Sequence, residues 1–147
     1  MIQEALNRLE LVIATLPAAI GKIDEQIFTL KKNPKTWSKK EILGHLIDSA
    51  SNNHHRFIRA QYEDAPAISY DQDLWVKENG YQQMETQQLV AFWVSYNKLL
   101  LEMISRMTAN KLAKQCRLAD DTLIDLNDLF VDYVNHLTHH VSQLTKN

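Results

Sequence analysis

Cysteine is nearly absent, with Cys116 the only one in 147 residues. That excludes an intrachain disulfide and any zinc site built on several thiolates. Glycine and proline are scarce too, three of each. Hairpin-rich β folds need more turn chemistry than this, so the chain is expected to be all-α. No apolar run approaches the roughly 18 residues of a membrane span. The start, MIQEALNRLE, carries acids where a secretory leader would have a basic start and an unbroken apolar stretch. Neither charge sign dominates: 16 basic residues face 18 acidic ones, net −2. Nothing here favours nucleic acid or a membrane surface as partner. A cytoplasmic protein acting on a small molecule is the expectation.

The length suits one domain, residues 1–147, with one core. A first helix is expected from about Ile2 to Ile20, with Leu6, Leu9, Ile13 and Leu16 facing inward and Pro17 kinking it or starting a second short segment. Ser38 and Glu41 form an S-x-x-E capping box that opens a second helix running to about Gln61. Thr122 and Asp125 resemble a similar box opening a last helix that ends near Thr145. Between them a third helix is expected from Glu85 to Met107, with Leu89, Phe92, Trp93, Tyr96, Leu99, Leu100, Met103 and Met107 near one side. Four helices of this length make a four-helix bundle. The long connection between the second and third, EDAPAISYDQDLWVKENGYQ, has little periodicity. A connection that long is often functional, or carries the chain back to start a parallel neighbour.

Three histidines crowd into NHLTHH near the end. At 100° per residue and with Leu137 at zero, the apolar stripe of the last helix spans about −80° to +60°. His140 then falls near −60° and His136 near −100°, on one flank, while His139 falls near 200° and faces water. On the second helix, His45 borders the apolar stripe, and Asp48, Ser49, Asn52 and Arg56 lie within about 60° of it. These residues form a polar seam expected to face solvent or a wet pocket. Gly44 would let a backbone or ligand approach closely. His54 lies about 180° from His45 and reads as a partly buried or subunit-contact histidine. Trp37, Trp75 and Trp93 read as packing anchors, and Cys116 as a packed or idle thiol.

Neutral imidazoles four apart can chelate zinc, nickel, iron or copper from one helical face. His45, His136 and His140 complete a three-ligand set with open positions if their helices are neighbours, the catalytic rather than the structural pattern. Such an ion acidifies water or a thiol, or polarises a carbonyl. Arg56 is a candidate clamp for a carboxylate or phosphate. Asp48 is a candidate general base or orienter of His45, and Asp132 a candidate imidazole partner.

WSKKEILGHLIDSASNNHHRF, SYDQDLW and YVNHLTHHVSQL, in this order, resemble the DinB/YfiT-like metalloenzymes. The resemblance implies a four-helix bundle with a crossed connection, often a homodimer, whose three histidines hold a divalent ion. By motif position the ligands are His45, His136 and His140, the triple chosen from helix angles. Arg56 matches an arginine of the YfiT-type motif. Tyr70, Asp71 and Trp75 match its tyrosine-aspartate-x-x-x-tryptophan loop, without the proline that commonly precedes the tyrosine. His139 also matches a family position but points away.

Family members are described as metal-dependent hydrolases. Relatives transfer or isomerise substrates with a low-molecular-weight thiol such as bacillithiol or mycothiol. The resemblance thus implies a thiol-dependent S-transferase holding one divalent ion, zinc or nickel, with Asp48 and Arg56 serving the chemistry. Arg56, Asn52 and Tyr70 would bind the co-substrate, and Arg56 with the 63–80 loop would hold its anionic part. A metal-dependent hydrolase, a non-catalytic metal-stabilised binding module and a metal-free dimerising bundle are the alternatives.

Overall fold

The computed structural model describes residues 1–146. Its four long helices are α1 (Ile2–Gly21), α3 (Lys39–Arg59), α5 (Thr86–Ser105) and α7 (Leu126–Thr145). Short helices α2 (Glu25–Phe28), α4 (Gln72–Asn79) and α6 (Ala109–Leu112) lie in the connections. A 3-10 turn, Tyr81–Gln83, follows α4. None of these helices is long and apolar enough to cross a membrane.

The helices form where periodicity and caps coincide. In α1, Ala5, Leu9, Ile13, Leu16 and Ile20 are buried along one stripe. Pro17 does not end the helix, which runs on to Gly21. The capping box of α3 is complete: Ser38 Oγ accepts from Glu41 N–H, and Glu41 Oε1 accepts from Ser38 N–H, both at 3.0 Å. The start of α7 differs from expectation. Its cap is Asp125, whose carboxylate accepts from Asp128 N–H at 2.8 Å. Thr122 instead bonds Asp120 in a tight turn. That turn joins two short antiparallel strands, β1 (Gln115–Arg117) and β2 (Leu123–Asp125), which the sequence reading did not foresee. Three-residue strands are too short to display an alternating pattern.

Helix α1 packs against α5 and α7, and α3 packs against the same two, so α1 and α3 are diagonal. His45 near the start of α3 meets His136 and His140 late in α7, whereas Phe57 near its end meets Phe130 early in α7. Helices α3 and α7 are therefore antiparallel. Glu25 bonds both Lys40 at the start of α3 and Thr86 at the start of α5. His54 meets Tyr96 farther along both helices, so α3 and α5 run parallel. A parallel neighbour needs a crossover, which the 60–85 connection supplies by carrying the chain back along the bundle.

The expected apolar side of α5 is wider than its buried side. Leu89, Trp93, Leu100 and Ile104 are buried, but Phe92 and Leu99 are about half exposed, at 52% and 48%. Asn97 replaces them in the core, accepting from Tyr133 O–H at 2.6 Å and donating to the Trp93 carbonyl at 2.9 Å. A fully satisfied buried amide of this kind ties α5 to α7 across the bundle.

Candidate metal centre

Adjacency of α3 and α7 brings the two histidine-bearing flanks together. The Nε2 atoms of His45 and His136 are 3.3 Å apart, and those of His136 and His140 are 3.1 Å apart. One donor atom from each of the three lies within 4.8 Å of the others. Nitrogens held about 2.0–2.1 Å from a tetrahedral zinc stand roughly 3.3–3.4 Å from each other. The donor set therefore fits a divalent ion in both chemistry and spacing.

Electrostatics supports the same fit. Burial, reinforced by the neighbouring histidines, lowers the His45 pKa from 6.5 to about 3 and that of His136 to about 4. Both rings are thus neutral at ordinary pH, the form that binds metal. At such spacings neighbouring imidazole nitrogens can share a proton, and a cation between them takes the place of that proton. His140 is oriented by Gln143, whose amide oxygen accepts from Nδ1 at 2.9 Å, which turns Nε2 toward His136. His45 is held differently. The Trp37 ring lies 4.7 Å from it at 35°, and the buried Nδ1 has no hydrogen-bond partner among the described residues.

Gln143 escaped the sequence reading, although its spacing three residues after His140 was a usable signal. Trp37, read as a packing anchor, packs on a candidate ligand. His139 is exposed, as its angle required, and His54 is half-buried against Tyr96. Asp132 is exposed on the outer side of α7.

The polar seam of α3 has a different setting from the one expected. His45, Asp48, Ser49 and Asn52 are buried, and the seam is covered by the 60–85 connection rather than by solvent. The Arg56 guanidinium donates twice to the Ile68 carbonyl, at 3.1 and 2.6 Å, and once to Asn53 Oδ1 at 3.1 Å. Asp48 Oδ1 accepts from Tyr81 O–H at 2.5 Å and from Asn79 Nδ2 at 3.1 Å, and makes no hydrogen bond to His45. Asn52 donates to the Asp48 carbonyl at 2.9 Å. Tyr70 packs on Trp75 at 5.6 Å while Asp71 caps α4. Where the connection crosses α3, the seam supplies a partner to the Ile68 carbonyl and to the side chains of Asn79 and Tyr81. The histidines converge; Asp48 and Arg56 brace the connection beside them, Tyr70 packs within it, and Asn52 bonds within α3.

Gly44 lets the connection pack closely on α3. A Cβ at Gly44 would overlap the Tyr81 ring, so the close approach read at this glycine is made by a side chain. Cys116 is fully buried, and burial raises its thiol pKa, which disfavours a thiolate nucleophile.

Beside His140 a groove of about 730 Å³ opens between the 27–42 segment, the start of α4 and the end of α7. Trp37 lines it as well, so one ring touches both the groove and His45.

A four-helix bundle with a crossover and three convergent histidines on antiparallel helices defines a class of candidate metalloprotein. The chain belongs to the DinB superfamily, whose family model matches residues 8–144. Among solved structures it is similar to YfiT from Bacillus subtilis, a probable metal-dependent hydrolase with an unusual four-helix bundle topology. The TM-score is 0.88 at 22% identity, over 98% of this chain and 83% of that one. It is similar also to a mycothiol-dependent maleylpyruvate isomerase, with a TM-score of 0.79 at 12% identity, covering 98% of this chain and 60% of that one. A histidine-to-alanine mutant of that isomerase gives the same TM-score at 9% identity and the same coverage. These likenesses establish the fold. No curated protein matches the sequence.

Proposed function

We propose that this protein is a divalent-metal-dependent enzyme in which His45, His136 and His140 hold one ion, zinc or nickel. Its reaction is the transfer of a low-molecular-weight thiol to a small electrophilic substrate. The observation that carries this reading is the convergence of three imidazole nitrogens at the edge of a groove large enough for a small molecule. Three protein ligands leave positions open, which is the catalytic arrangement. The ion would supply Lewis acidity, lowering the pKa of a thiol or water and polarising a carbonyl. Gln143 fixes the His140 ring, and Trp37 shields one face of His45 from water. Asp48 and Arg56 act as positioning residues, holding the connection, Tyr70 included, over α3.

The likeness to a mycothiol-dependent isomerase favours a thiol co-substrate. The likeness to a probable metal-dependent hydrolase supports hydrolysis as the second reading. We place the enzyme in the cytoplasm, where free thiols abound. We assign a homodimer contact to the half-exposed apolar side of α3 and α5 that carries Ile58, Phe92 and Leu99.

Elemental analysis of protein purified without an affinity tag or added metal tests the centre. About one divalent ion per chain is expected, and none in His45→Ala, with helical circular dichroism retained. Full occupancy in that variant would remove His45 from the ligand set. Electrophiles are then screened with and without a small thiol. Turnover only with thiol supports S-transfer, turnover without it supports hydrolysis, and none at full metal loading leaves a non-catalytic module.

A further inference from the structure

We propose that the groove beside His140 is an anion subsite, taking a small molecule that carries two carboxylates or a phosphate next to an apolar body. Ile27, Leu30, Trp37 and Ile42 give the groove apolar surface. Ile27 and Leu30 are 54% and 65% exposed, so this surface is available to a ligand. Around it stand Lys32, Lys35, Lys39 and Lys146, against a single acidic side chain among the described residues, Asp73. This local excess of positive charge belongs to a chain whose net charge is −2.

Within the 31–40 run, pairing separates the lysines of the groove from their neighbours. Five lysines lie between residues 31 and 40. Lys31 is paired with Glu41 at 2.9 Å and Lys40 with Glu25 at 3.2 Å, and neither lines the groove. Lys32, Lys35 and Lys39 line it, and among the described residues none of them has a carboxylate within 4.0 Å. Lys39 donates to the Lys146 carbonyl, which ties the end of α7 to the start of α3 across the groove. The wall is ordered as well: Asn33 accepts from Lys35 N–H through its side chain and from Thr36 N–H through its carbonyl, forming a defined turn.

Unpaired ammonium groups beside apolar surface attract an anion and gain from partial exclusion of water. His140 and Trp37 line the same groove, so an anion on the lysines sets the remainder of the molecule toward the three histidines. Arg56, the sequence candidate for holding an anion, is committed to the Ile68 carbonyl and Asn53. The lysine rim takes over that role. This names the substrate or co-substrate class of the proposed centre; only the placement of the reacting end rests on the metal reading.

Isothermal titration with succinate, inorganic phosphate and neutral succinamide tests the subsite, on metal-free protein and again on zinc-loaded protein. At least one dianion should bind both forms, more weakly as sodium chloride is raised, and succinamide should not. A preference for succinate assigns a dicarboxylate, and a preference for phosphate assigns a phosphate ester. The double variant Lys32→Ala/Lys35→Ala should lose about tenfold in affinity, while Lys98→Ala on α5 should match the wild type. Equal affinity in the double variant, equal binding of succinamide, or no dianion binding to the metal-free form would overturn the subsite. Zinc stoichiometry is read separately. Dianion binding without zinc uptake sinks only the metal centre, and zinc uptake without dianion binding sinks only the subsite.

Discussion

Gly44→Ala makes two physical effects compete, and the structure decides the sign. Alanine in a helix interior is favoured over glycine by about 1 kcal/mol, so propensity alone predicts stabilisation. Gly44 is buried in α3, and a Cβ there would overlap the Tyr81 ring, which is 5% exposed and cannot swing into solvent without cost. Displacing the ring costs about 1–3 kcal/mol of packing. It also strains the 2.5 Å bond from Tyr81 O–H to Asp48, worth about 1.5–3 kcal/mol to an ionised acceptor. The net expectation is a loss of about 2–5 kcal/mol, or a fall in Tm of roughly 6–15 °C for a chain of this size. Thermal unfolding by circular dichroism at pH 7 measures it, on metal-free protein so that ion binding adds nothing to apparent stability. In a Tyr81→Ala background the collision is gone, and Gly44→Ala should stabilise by about 1 kcal/mol. An unchanged or higher Tm for Gly44→Ala in the wild-type background would refute the packing of Tyr81 on α3. So would the same loss in both backgrounds.

Stability of the metal-free protein should carry two opposed pH slopes. His45 and His136 sit at about 3 and 4 against an ordinary 6.5, so the unfolded chain takes up protons first. Their contribution is full above pH 6.5 and is lost as pH falls toward 4. Burial raises Asp48 from 3.8 to about 6, with the Tyr81 hydroxyl partly opposing the rise, so its contribution runs the other way and is lost as pH rises from 4 to 6. Urea midpoints across pH 4–7 should therefore steepen in Asp48→Asn, and a shallower dependence would contradict the assignment. Arg56→Ala should speed proteolysis and amide exchange around Ile68 while metal content holds; loss of metal with an intact loop would return Arg56 to the centre. Gln143→Ala should weaken zinc binding about tenfold by freeing the His140 ring, as a competitive chelator titration reads. Wild-type affinity would mean that the Gln143 contact is incidental.

The histidine cluster was legible because it depends on local geometry. The stripe through Leu137 sets the phase of α7, and that phase sends His136 and His140 to one flank and His139 to water. A capped α3 with His45 at the edge of its stripe needs only α7 as a neighbour to complete the set. The caps were legible for the same reason, except at Thr122, where the hairpin turn took over the residue and Asp125 became the cap. What could not be read were choices settled by distant parts of the chain. On the helical wheel, Asp48, Asn52 and Arg56 are a polar seam whichever surface meets them. Only the folded connection, with the Ile68 carbonyl and the Tyr81 hydroxyl brought in from 12 and 33 residues away, makes that seam an inner wall.

The lysines pose the same problem at the surface. Lys31, Lys32, Lys35, Lys39 and Lys40 are equivalent as letters, and a charge run between helices is ordinarily a solvated stretch. Their difference arises when Glu41 and Glu25 neutralise two of them and the chain turns the others toward Ile27, Leu30 and Trp37. Several like charges gathered around one apolar surface repel one another, and an anion between them lowers that cost. The groove and the histidine cluster thus share one feature: each gathers polar groups whose mutual cost falls when something of opposite character is placed between them. For the histidines that something is a cation. For the lysines it is an anion, and the two meet at His140.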